Sequence, residues 1–188
     1  MKQEEIGKKI IANAMRFVNL IEIKANAEWR CISDRSKGKE LSIELHAAMA
    51  KAGWYDGLPY CAAFTRAIWE MTYVQCGAPA NVISTVKKLN LGAVSSFNAV
   101  KPLITKTPQP GAIFFMQHGN TAHGHAGLVS SSLNASALNT IEGNTGAGRA
   151  ATVEADRNGD GVFAKTRSFS LAPTAGLHII GFLNPIEW

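Results

Sequence analysis

The sequence has no long apolar run: its longest, such as Ala112-Ile113-Phe114-Phe115-Met116, fall far short of the roughly 20 residues that cross a bilayer. A helical membrane protein is excluded on that ground. Its three cysteines, Cys31, Cys61 and Cys76, are odd in number and never spaced Cys-x-x-Cys. A disulfide framework, a zinc ribbon and a thioredoxin-like motif are therefore excluded. The opening Met1-Lys2-Gln3-Glu4-Glu5-Ile6 lacks the apolar core and small-residue cleavage site of a signal peptide. Synthesis in a reducing cytoplasm is expected, with at least one thiol free. There is no internal repeat, and basic residues cluster only as the doublets Lys8-Lys9 and Lys87-Lys88. That spread argues against a nucleic-acid-binding patch. The net charge of +5 and pI near 9.2 describe a mildly basic surface, suited to an anionic partner.

What is present fits one domain. At 188 residues, with 46% hydrophobic content, the chain can bury a single substantial core. Ile6, Ile10, Ala14, Phe17, Val18 and Ile21 fall on one face of a helix over residues 4–22, opposite Lys8, Lys9, Asn13 and Arg16. A second helix is predicted over 41–52, stopped by Gly53. A third begins near Cys61, after Asp56-Gly57-Leu58-Pro59, and runs to Cys76 before Gly77 and Pro79. Its apolar face includes Phe64, Ile68, Met71 and Val74. Strands are predicted over 112–116, 126–130, 137–142, 161–169 and 177–182, with short gaps that favour antiparallel hairpins. Helices first and strands later predict an α+β domain, helices packed on an antiparallel sheet.

Cys61 is the candidate nucleophile. A thiol in the first turn of a helix meets unpaired backbone N–H groups and the positive end of the helix dipole, which lower its pKa. A neighbouring imidazole lowers it further. The Cys61 N–H can also face the oxyanion of a tetrahedral intermediate. His125, flanked by Gly124 and Ala126-Gly127 on a predicted strand, is the candidate general base. Glu142, closing the next strand, would bond its second ring nitrogen and fix the tautomer. Asn144 would orient the ring or line the site.

Blander roles compete. Free cysteines are commonly buried and inert, the role assigned to Cys31 and Cys76. His118 and His123 read as structural, although with His125 and Glu142 they would supply metal-ligand chemistry. Asp156, Asn158 and Asp160 have the opening spacing of a calcium loop, but Arg167 stands at the twelfth position, where a bidentate Glu is required. A turn is the preferred reading, and no metal or cofactor is expected. Trp54 and Trp69 offer faces for sugar stacking, with Trp69 assigned to the core.

Taken together, Pro59 to Phe64, Pro110-Gly111-Ala112-Ile113-Phe114-Phe115, Gly124 to Val129 and Ile141-Glu142-Gly143-Asn144 resemble the cysteine- and histidine-dependent amidohydrolase/peptidase family, CHAP. The resemblance spans about residues 40–183, and Ala112 stands where members often have Asp. It implies a papain-like α+β fold with the nucleophile at a helix N-terminus, the helix 4–22 packed on it, and a single catalytic domain over 1–188. It further implies Cys61 as nucleophile, His125 as base, and Glu142 and Asn144 as orienting groups. The implied substrate is bacterial peptidoglycan, cut at the sugar–peptide amide or within the peptide stem, by a monomer acting in the periplasm or on the cell wall. A holin-released phage lysin or an antibacterial effector with an immunity protein fits such a chain. A papain-like acyltransferase or deamidase acting on a protein, and a non-catalytic wall-binding module, are the alternatives.

Overall fold

The computed structural model describes residues 1–31, 35–146 and 159–188. Helix α1 (Gln3–Met15) opens with Glu4 and Glu5 at the positive end of its dipole, and Glu5 accepts the Lys2 backbone N–H at 3.2 Å. It buries Ile6, Ile10 and Ala14 along one face. The expected helix to residue 22 is too long. Asn19 adopts φ 70°, a left-handed conformation that asparagine tolerates, and its N–H reaches Val162 O at 2.8 Å. The chain then enters β1 (Leu20–Lys24), which pairs antiparallel with β2 (Glu28–Cys31). The β-branched Ile21 and Ile23 suit a strand, and Ile21 pairs with Gly161 instead of extending the helix.

Helix α2 (Arg35–Lys51) starts ahead of the expected Leu41. Helix α3 (Cys61–Gln75) begins at the expected residue. It ends where Gly77, at φ 67°, turns the chain so that Ala78 N–H reaches Tyr73 O at 3.0 Å. Phe64, Ile68 and Trp69 are fully buried on α3, whereas Val74 is 60% exposed and does not belong to its apolar face. Helices α4 (Ala80–Val86) and α5 (Ala93–Ala99) add to the predicted elements; two turns each carry too few apolar repeats to register as periodic.

The remaining strands are β3 (Ile104–Thr105), β4 (Ile113–His118), β5 (Gly124–Asn134), β6 (Ala137–Thr145), β7 (Gly161–Ser168) and β8 (Leu177–Leu183). Among the described residues they form one eight-stranded sheet, ordered β2-β1-β7-β6-β5-β4-β8-β3, with antiparallel neighbours. The α+β expectation is met: α3 lies against β5 and β6 and also touches α1 and α2. Strands β5 and β6 are longer than predicted, so Glu142 sits inside β6 and does not close it.

Alternation along the strands divides the interior in two. Ile113, Phe115, Ala126, Leu128, Ile141 and Val162 join the helices in the main core. Ala112, Phe114, Met116, Val129, Leu138, Ile179 and Phe182 form a smaller cluster on the opposite face. Each fully buried large apolar side chain contributes roughly 1.5–3 kcal/mol, so the main core holds α3 firmly against the sheet. Trp54 is 2% exposed and donates its indole N–H to Leu58 O at 2.9 Å, which removes it as a sugar-stacking surface. Among the described residues, no helix is long and apolar enough to cross a membrane.

Candidate active site

Pro59 and Tyr60 set the start of α3. Tyr60 takes a non-helical conformation (φ −121°, ψ 12°), and its carbonyl accepts the Phe64 N–H at 2.7 Å. Cys61 is thereby the first helical residue, and the Ala62 N–H bonds its sulfur. The Ala126 N–H from β5 bonds the same sulfur. Close packing of α3 on β6 permits this meeting: a β-carbon on Gly143 would stand 2.8 Å from Cβ and Cγ of Phe64.

His125 comes from β5, opposite Met116 of β4, and is fully buried. Its Nε2 lies 2.9 Å from Oε2 of Glu142. Its Nδ1 is buried without a partner of full hydrogen-bond geometry, which leaves that nitrogen to interact with the Cys61 thiol. Sites of this kind commonly tighten when substrate binds. Burial pushes the Cys61 thiol up, but the hydrogen bond and charge of His125 and the two backbone N–H groups outweigh it, and the net shift is downward. Burial alone would lower the His125 pKa; its bonds to Cys61 and Glu142 prevail and raise it to about 9. The directions of the two shifts favour a thiolate–imidazolium pair. Cys61 is buried, with 7% of the residue's surface exposed.

Glu142 is more fully engaged than the sequence implied. Its Oε2 also accepts Arg167 Nη2 at 2.6 Å, while Oε1 accepts Arg167 Nε at 2.6 Å and Thr140 Oγ1 at 2.5 Å. Burial would raise the carboxyl pKa, yet His125 and Arg167 hold it far below the usual carboxylate range. In the sequence, Arg167, on β7, is marked only as a misfit in a calcium loop; nothing in its sequence neighbourhood announces Glu142 as its partner. Asn144 is fully buried in β6 at φ 57°, and its backbone N–H bonds the Tyr60 hydroxyl. It stands beside the site through Tyr60, the residue before Cys61.

His118 and His123 are joined by a backbone bond, His118 N–H to His123 O at 2.9 Å, and no group of three metal-ligating side chains occurs among the described residues. Asp156 and Asn158 of the calcium-loop expectation lie outside the described residues. Asp160 presents its carbonyl to the Glu22 N–H at 2.7 Å, and the twelfth position, Arg167, is an ion-pair partner of Glu142.

Residues 53–144 match the family model of the CHAP domain. That stretch contains all of α3, β4 and β5, with His125, and β6 as far as Asn144, with Glu142. No curated protein matches the chain.

Proposed function

We propose that this chain, whose residues 53–144 match the family model of the CHAP domain, is a cysteine hydrolase of peptidoglycan amide bonds. The CHAP family suggests amidase or peptidase activity on peptidoglycan. The observation that carries the reading is the contact between Cys61, first in α3, and His125, whose other nitrogen is bonded to Glu142.

In the proposed reaction the Cys61 thiolate attacks the carbonyl carbon, forming a C–S bond as the carbonyl electron pair moves to oxygen. The Cys61 backbone N–H at the helix start stabilises that oxyanion. The imidazolium of His125 then protonates the leaving nitrogen as the C–N bond breaks. In the second half, His125 removes a proton from water, which attacks the thioester and releases a carboxylate and the Cys61 thiolate. Glu142 holds the ring and stabilises its charged form throughout. Asn144 helps fix the wall of the site.

The bond attacked is the N-acetylmuramoyl-L-alanine amide or one within the peptide stem, and the net charge of +5 favours approach to an anionic wall. A monomeric lysin or antibacterial effector working in the periplasm or on the wall is the setting we assign. The test is digestion of purified peptidoglycan by the wild-type protein and Cys61→Ala, with mass spectrometry of the released fragments. The wild type should release fragments with new amine and carboxyl ends, and Cys61→Ala should lose nearly all of that activity while keeping its fold. Undiminished activity in Cys61→Ala rejects the assignment. Intact peptidoglycan alongside a modified protein substrate would favour the acyltransferase or deamidase alternative.

A further inference from the structure

We propose that Arg167 is a positioning residue for the Cys61–His125 pair, acting as a two-point clamp that keeps Glu142 ionised and aimed at the imidazole. This inference rests on the hydrolase reading above and adds to it a residue from β7, beyond the segment 53–144 that matches the family model.

The clamp is defined by geometry. A carboxylate has about four lone-pair positions, and four contacts occupy those of Glu142: Arg167 and Thr140 on Oε1, Arg167 and His125 on Oε2. Rotating the carboxylate away from His125 would break both arginine bonds. Arg167 pairs in register with Leu138, four residues before Glu142 in β6, so its side chain must run back along the sheet to reach the carboxylate. Its guanidinium also lies 5.9 Å from the centroid of Phe114, whose ring is 6.1 Å from that of His125. One aromatic ring thus borders both ends of the relay. A lysine at this position supplies a charge but no planar fork.

The chemical need for the clamp follows from burial. Glu142 and His125 are both fully buried, and a buried carboxyl without a strong cation tends to take up a proton. A protonated Glu142 no longer stabilises the imidazolium, and the proton then stays on the Cys61 sulfur to higher pH. A Glu142 that stayed ionised without Arg167 would instead favour the imidazolium beside it, so an upward shift of thiolate formation is the mark of a carboxyl that has taken up a proton.

The experiment follows alkylation of Cys61 by iodoacetamide against pH, read on the Cys61 peptide by mass spectrometry so that Cys31 and Cys76 do not contribute. Peptidoglycan turnover is measured in parallel on the full chain. Arg167→Gln should move the acid limb of Cys61 alkylation upward by about one pH unit, the scale of one removed opposite charge. It should lower kcat with little change in KM. Arg167→Lys should return the limb towards its wild-type position without recovering the full rate. In a Glu142→Gln background, Arg167→Gln should cost little more, because its route of action is already gone. A folded Arg167→Gln protein with an unmoved limb, or losses that add fully in the double variant, overturns the clamp. Should Arg167→Gln not fold, an unmoved limb and full rate in Arg167→Lys overturn it instead. A limb that shifts as expected while the wild type leaves peptidoglycan intact supports the clamp and rejects the hydrolase reading, so the two failures are separable.

Discussion

Gly127 of β5 and Glu142 of β6 compete for one volume: a β-carbon on Gly127 would lie 2.7 Å from Cγ of Glu142 and 2.6 Å from two ring atoms of Phe114. Alternation places Gly127 on the same face of β5 as His125. The missing side chain is what lets the Glu142 stem cross beneath β5 and reach the imidazole. Gly127→Ala is therefore expected to push Glu142 or Phe114 aside and lengthen the 2.9 Å contact to His125. Overpacking of this kind typically costs about 1–3 kcal/mol. The variant should show a lower denaturant midpoint and a loss of peptidoglycan turnover larger than that of Gly119→Ala, a substitution outside the site. Unchanged turnover in Gly127→Ala would show that this close approach is not required.

The charged relay also predicts a pH profile. His125 is raised from 6.5 to about 9, so its contribution to stability is fully present below 6.5 and is lost as pH climbs through about 9. The Cys61 thiol, lowered from 9.0, offsets part of that loss on the alkaline side, because both belong to one pair. Glu142 is depressed from 4.5, so its contribution is fully present above that pH and is lost progressively on acidification below it. Denaturant midpoints should hold steady between about pH 5 and 6.5 and fall on the acid side, less steeply in Glu142→Gln than in the wild type. Turnover should decline on the alkaline side near pH 9, as the imidazolium that protonates the leaving nitrogen disappears. Turnover that stays level through pH 10 would remove His125 from the role of acid.

The parts of this site that were legible in the sequence are those fixed by local chemistry. Pro59 ahead of an apolar helical face predicts a helix at Cys61, and Gly77 with Pro79 predicts its end. The strands bearing His125 and Glu142 follow from short apolar runs between turn residues. Asn19 carried no comparable warning: the four-residue spacing of Phe17 and Ile21 continues the helical pattern straight through a left-handed residue, so β1 was hidden. Arg167 was equally hidden, because its role depends on β7 pairing beside β6, a contact between residues 25 apart in the chain. Sequence spacing reports helix faces well, but carries little information about which strand becomes the neighbour of which.

The β1–β2 hairpin, which no sequence pattern announced, reaches the site through Tyr60. The Tyr60 hydroxyl accepts the Trp29 indole N–H at 3.0 Å, and its pKa is pushed up by burial and by the nearby Glu22 carboxylate, while the Asn144 backbone N–H works the other way. Glu22 is held in turn by the Asn26 N–H at 2.7 Å. Tyr60 immediately precedes Cys61, so this buried network ties the hairpin, the start of α3 and the end of β6 together. Tyr60→Phe keeps the ring but deprives buried Trp29 of its acceptor, a loss of about 1–3 kcal/mol. At this chain length that corresponds to a fall of several degrees in Tm. Because no charge near the thiol is removed, the acid limb of Cys61 alkylation should stay within about 0.3 pH units of wild type, well under the unit-scale shift a lost ion-pair partner produces. Turnover should nevertheless drop severalfold, as the helix start loses its anchor. A limb displaced as far as in Arg167→Gln would show that Tyr60 acts on the charge of the pair, and that the hairpin does more than hold Cys61 in place.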